Sequence, residues 1–309
     1  MEQFQTDKGQ IAATLVQLPA RPHGRLQVIH AAGAASIAFL AAGIWLYGPT
    51  IVKLAYDWWT NPDYSHGLVV LPLALALVWG RRSELAEAPI SPSAPGLGVV
   101  VGALLLLILG TLGAELFLTR VSLLAFVAGT IVFLFGWRHL RLVVFPLVLL
   151  ALTIPIPAIV ISRLTLSLQF CASAMAEAIL WLFRIPVLRE GNVLELPNAT
   201  LQVAEACSGI RSMTALVTLA LVVARFSSSR WMARALIIAS AIPIAVVVNG
   251  LRVAAAAVGA RWFGAAAVEG TVHEMLGWVM FLVAFGMMAL VARIVNAVVR
   301  DPERVALQQ

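Results

Sequence analysis

LTLSLQFCASAMAEAILWLF, residues 164–183, is apolar enough to pass for a membrane span, yet Thr165, Gln169, Ser173 and Glu177 recur in it every four residues. That spacing lines one face of a helix with polar groups. A helix so striped lies in the membrane interface or packs its polar face against a wet cavity. Whether it crosses the bilayer decides the topology, because everything after it changes sides with it.

The surrounding chain leaves no doubt about the solvent. Of 309 residues, 61% are hydrophobic and 12% charged, with mean hydropathy +0.95. Soluble domains carry about 25% charged residues, so this composition is that of a multi-spanning membrane protein. A span takes about 20 apolar residues. Apolar runs lie near 31–53, 67–80, 97–114, 121–136, 141–160, 164–183, 208–224, 235–257 and 275–293. Residues 1–30 are expected to be a polar cytoplasmic tail without a cleaved signal pattern. Residues 31–293 read as one polytopic domain, and 294–309 as a second cytoplasmic tail.

Basic residues orient the runs. Arg81 and Arg82 follow the second, Arg138, His139 and Arg141 precede the fifth, Arg225, Arg230 and Arg234 follow the seventh, and Arg293 and Arg300 close the last. These clusters mark the cytoplasmic side. The net charge of +6 is therefore a topology signal, not a sign of nucleic-acid binding. Nine full crossings would put 225–234 outside, so one run does not cross, and 164–183 is the best candidate. The expected fold is an all-α integral membrane protein of about eight transmembrane helices plus one amphipathic or re-entrant helix. Segment 184–206 then becomes a small extracytoplasmic loop, in which NVLEL and TLQVAEA alternate well enough for a β-hairpin around Pro197-Asn198.

That topology gathers chemistry at one face. Cys207 stands at the outer start of the run 208–224, Arg252 in VVVNGLRVA towards the outer end of 235–257, and His273 in TVHEMLGW before the last run. A thiol reacts as thiolate, with a pKa near 8.5 that falls at helix N-termini and beside cations. Ser208 and Gly209 let backbone N–H groups approach a substrate, and Arg211 lies over the same face as Cys207. His273 can take the thiol proton and return it to a leaving amine. Arg252 keeps its charge and suits a developing oxyanion or the scissile carbonyl. Asn249, three residues earlier, can fix the Arg252 fork or bind substrate backbone. These groups make an acyl-transfer site.

Other features have plainer readings. His66 in DYSHG is a substrate-rim residue or, more simply, part of an interfacial Tyr-His cap, and Asp63 caps the helix that follows. Trp58 and Trp59 match an aromatic belt. The five histidines are scattered and no HExxH or paired-cysteine spacing occurs, so no metal is expected. Phosphate-binding Gly-rich loops are missing too, and thiol acyl transfer needs no cofactor. Pro155, Pro157 and Pro243 interrupt apolar runs, as in transporters. A transporter, or a non-catalytic export and assembly subunit, is thus the competing class.

AEACSGIRS (204–212), NGLR (249–252) and a histidine before the final span together resemble the exosortase family of multi-span membrane cysteine enzymes. NPDYSHGLVVLP (61–72) resembles a stretch found early in many members, and the likeness extends over roughly 45–293. The resemblance implies a catalytic triad of Cys207, Arg252 and His273, with Asn249 and Arg211 in supporting roles. It implies a sorting enzyme of the bacterial inner membrane whose active site faces the periplasm. Its partners would be exported proteins that end in a short motif (often Pro-Glu-Pro), one apolar helix and a basic tail. Cleavage would be followed by transfer to an amine or glycan-type acceptor.

Overall fold

The computed structural model describes residues 23–197, 199–203, 210–264 and 270–299. Residues 1–51 and 52–309 are two compact units. The described part of the first is the start of α1 (His23–Thr60), a helix that begins inside the stretch expected as a tail and continues into the second unit.

In the second unit, α2 (Gly67–Gly80) and the short α3 (Arg82–Glu87) precede a hairpin of α4 (Ala94–Leu112) and α5 (Leu116–Leu134). Small residues set the spacing of that hairpin. A Cβ on Gly96 would lie 2.3 Å from the Phe133 amide nitrogen, and one on Gly129 2.9 Å from that of Val100. Where apolar surface gains nothing by leaving lipid, backbones that can touch supply the packing. The Glu115 carboxylate starts α5 by accepting from the Phe117 N–H at 3.0 Å.

The run expected at 141–160 is cut short. Helix α6 (Trp137–Ala151) stops before Pro155 and Pro157, which cannot donate to a continuing ladder. Its 15 residues, like the 14 of α2, span about 21–23 Å at the α-helical rise. The two run antiparallel: Arg81 donates to the Leu142 carbonyl at 3.1 Å near one end, and the His66 ring lies 3.5 Å from the Leu152 carbonyl at the other.

Helix α7 (Ala158–Leu182) carries the polar stripe, and a three-stranded antiparallel sheet uses it. The expected hairpin is present as β2 (Val193–Leu196) and β3 (Ala199–Gln202), and β1 (Leu188–Glu190) adds a strand to it. Asn192 donates to Gln169 at 3.2 Å, Ser173 donates to the Gly191 carbonyl at 3.0 Å, and Arg189 pairs with Glu177 at 2.6 Å. The stripe therefore holds the loop that follows it. On the same contact, Ala172, Ala176 and Leu180 pack with Leu194, Leu196 and Leu201.

Helices α8 (Ile210–Ser227), α9 (Trp231–Phe263) and α10 (Gly270–Val298) complete the chain. Six described helices are long and apolar enough to cross a membrane: α1 from Ser36, α4, α5, α7, α9 to Trp262, and α10 from Met275. By length and composition α7 is among them, so those criteria do not single it out as the exception.

Candidate active site

Helix α9 has two partners along its length. Its first half, Ile237 to Val248, packs between Leu216, Ala220 and Ala224 of α8 and Ala284, Met288 and Ala292 of α10. Its second half, Val253 to Ala257, packs instead on α7 and the sheet. Asn249, Gly250 and Arg252 occupy the changeover. Gly250 matters there because a Cβ would lie 2.8 Å from the Cβ of Met175, so α7 and α9 touch through a position only glycine fits.

A small pocket opens at this junction, with Ser212 and Leu216 of α8, Asn249 and Arg252 of α9, and Met280 and Phe281 of α10 in its wall. Its free volume, about 10 Å³, holds roughly one water. Asn249 is 4% exposed, and among the described residues neither its amide nitrogen nor its carbonyl oxygen has a hydrogen-bond partner. A buried amide in that state costs about 1–3 kcal/mol. The guanidinium of Arg252 reaches α10, where its Nη2 would lie 3.4 Å from a Cβ on Gly277. His273 is in the first turns of α10, one helical turn before Gly277 and so on the same face. Cys207, Ser208 and Gly209 lie outside the described residues, as does the His273 side chain. The described part of α8 begins three positions after Cys207.

The early motif comes to the same end. Arg211, in the first turn of α8, approaches Asp63 at 3.4 Å between Nε and Oδ1. Asp63 is thus tied to the mouth of α8, which differs from the capping role expected for it. Tyr64 is buried and accepts from the Ile156 N–H at 3.3 Å, and the buried Trp58 indole donates to the Thr153 carbonyl at 3.0 Å. Both side chains are packed inside the protein, on the α6–α7 connection. Trp59 is exposed, as a belt residue would be. Burial lowers the His66 pKa below its ordinary value, against the opposing pull of the Leu152 and Asp63 backbone. The imidazole is therefore neutral at pH 7 and helps hold the turn.

One pair had no place in the sequence reading. Arg120 of α5 is 3% exposed and forms an ion pair with Asp57 of α1. Ionisable groups at such depth are expensive and need a partner. The available signal was a lone arginine at the start of an apolar run, with an aspartate beside the Trp58-Trp59 pair.

A polytopic helical membrane protein with a polar junction near one end of its last three helices is the class these features define. The chain matches the transmembrane exosortase family over residues 58–290, and it belongs to that family. Membership carries the general sorting role of exosortases. No curated protein matches the chain. No solved structure matches it either.

Proposed function

We propose that the chain is a membrane-embedded cysteine protease and transpeptidase that cuts the C-terminal sorting signal of exported proteins near the outer face of the inner membrane. The observation that carries the reading is the junction itself: Arg252 from α9 extends to Gly277 of α10 beside Ser212 of α8. Arg252 belongs to α9 and position 273 to α10, and Cys207 precedes the described start of α8 by three positions in sequence.

In the proposed reaction the Cys207 thiolate attacks the scissile carbonyl, with Arg252 and the backbone N–H groups near Ser208 and Gly209 receiving the oxyanion. The C–N bond breaks as His273 gives the leaving amine the proton it took from the thiol. The acyl group remains as a thioester on Cys207. An amine or glycan-type acceptor attacks that thioester, its proton passes to His273, and the thiolate is released; water does the same more slowly. Asn249 supplies the amide that pairs with substrate backbone. Arg211 and His66 act from the rim through the turn at 61–66.

Helix α9 has 33 residues, about 50 Å of helix against a hydrocarbon core of about 30 Å. In this reading its second half stands outside the bilayer with the sheet and much of α7. They form a ledge over the site, and α7 does not complete a crossing. The substrate helix lies in the membrane with its scissile bond at headgroup level, and its basic tail stays on the cytoplasmic side. Confinement of enzyme and substrate to one plane compensates for weak intrinsic affinity.

Cells expressing Cys207→Ala, together with an exported reporter bearing a C-terminal motif, an apolar helix and an arginine cluster, test the proposal. The reporter is expected to stay uncut, and normal processing would end the reading. A membrane-impermeant alkylating reagent separates the transporter class, since labelling Cys207 stops a thiol enzyme but not a thiol-independent carrier.

A further inference from the structure

The three-stranded sheet has two edges of different character. Along β1 the edge is guarded: Arg189 holds Glu177 of α7 at 2.6 Å, and its Nη1 donates to the Gly191 carbonyl at 3.2 Å. Strand β3 carries no charge and no proline, and its register with β2 runs without a bulge. Those are the devices that normally blunt an edge.

Register fixes which backbone groups of β3 are free. The Val203 N–H donates to the Asn192 carbonyl at 3.0 Å, so these two residues are a hydrogen-bonded pair. Bonded and non-bonded pairs alternate along an antiparallel ladder. Leu201 opposite Leu194 and Ala199 opposite Leu196 are therefore the next bonded pairs. Thr200 and Gln202 turn their N–H and C=O groups away from β2, and both residues are exposed. Among the described residues none of these groups has a hydrogen-bond partner.

The sheet that owns this edge packs on α9 beside Arg252. Leu201 and Val203 share a cluster with Val253, Ala254 and Ala257. Asn249, one turn before Val253 on the same face, has a buried amide that also lacks a partner among the described residues. In sequence Cys207 is five positions after Gln202, a stretch that reaches at most about 18 Å. Unanswered amide groups on a strand edge and on α9 have one common complement, an extended polypeptide backbone.

We propose that β3 takes an extended segment of the exported substrate as a fourth strand, on the acyl side of the scissile bond. This rests on the cysteine transpeptidase reading above, which also sets the polarity. The substrate's apolar helix is on the leaving side of the cut, so the part outside the bilayer, level with the sheet, is the acyl side. Main-chain pairing supplies affinity with little demand on side chains. It also keeps the acyl half beside Cys207 once the helix has left.

Two measurements in native membranes test it. In the first, a Cys171→Ser/Cys207→Ala/Gln202→Cys chain is co-expressed with the reporter, which carries single cysteines at successive positions before its apolar helix. Mild oxidation then joins neighbouring thiols. Strand pairing predicts disulfides at alternate reporter positions. No disulfide, equal yield at every position, or only a dimer of the chain through position 202 would overturn the proposal. In the second, Gln202→Pro removes an outward N–H and no ladder bond. At limiting reporter its processing is expected to fall about fivefold below that of Gln202→Ala, the worth of one backbone hydrogen bond. Glu195→Ala, altered on the exposed outer face of β2, is expected to process as the parent does. Equal processing by the two Gln202 variants, or as large a loss in Glu195→Ala, would overturn the proposal. The disulfide pattern needs no proline and decides alone if Gln202→Pro lacks the parent's Tm. Failure of the cysteine reading shows separately, as a reporter still cut by Cys207→Ala.

Discussion

The Asp63 carboxylate meets the Arg211 guanidinium at 3.4 Å across 148 positions of sequence, and so joins the turn after α1 to the first turn of α8. The side chains are 35% and 59% exposed. At that exposure an ion pair contributes at most about 1 kcal/mol to stability. Its use is to fix the direction in which α8 starts, a few residues beyond Cys207. Asp63→Ala and Arg211→Ala are each expected to lower kcat several-fold with little change in Tm. The exchange Asp63→Arg/Arg211→Asp should recover much of the loss. A double-mutant cycle on reporter processing measures the coupling.

The Asp57–Arg120 pair behaves differently because the arginine is buried. Removing the carboxylate leaves an uncompensated cation, which typically costs about 3–5 kcal/mol. Asp57→Ala is therefore expected to depress Tm sharply in detergent. Asp57→Leu/Arg120→Leu should be much less damaging than either single change, since it removes both charges together. Thermal unfolding of the purified variants checks the order.

Asn249 separates stability from activity. Its amide is buried without a partner among the described residues, so an apolar replacement of similar size removes a cost rather than a bond. Asn249→Leu is expected to leave Tm equal or higher while processing falls by about tenfold or more, the scale of losing a substrate-facing hydrogen bond. A variant both unstable and inactive would contradict the assignment.

His66 supplies a pH dependence. Its folded pKa is lowered by burial, so the folded chain binds fewer protons there than the unfolded chain does. Stability from this group is complete above the unfolded value of about 6.5 and is lost as pH falls from there through the folded pKa. The measurement is Tm between pH 7.5 and pH 5, chosen to bracket that unfolded value of about 6.5. The parent should lose stability more steeply on the acid side than His66→Gln.

Sequence pattern carried the reading as far as local periodicity reaches. The four-residue stripe on α7 was visible, but its partner was not, because β1 is three residues with no alternation to announce it. The β2–β3 hairpin was legible because VLEL and ATLQ alternate around a proline. Trp58 and Tyr64 were legible as aromatic residues near a helix end, but hydropathy cannot show that their side chains pack onto residues 153 and 156. Arg120 escaped notice because a single charge beside an apolar run reads as a loop residue until Asp57 is seen against it. At the site, a three-residue offset put Asn249 and Arg252 on one face, and the fold adds that this face is the junction of two packing clusters.

Convergence of the three helix ends can be measured through distance. In a Cys171→Ser/His273→Cys background, Cys207 and the new thiol are offered the short dithiol crosslinker dibromobimane in native membranes. The account predicts rapid, fluorescent intramolecular crosslinking. Its absence, with both thiols still open to monofunctional maleimide, would contradict it.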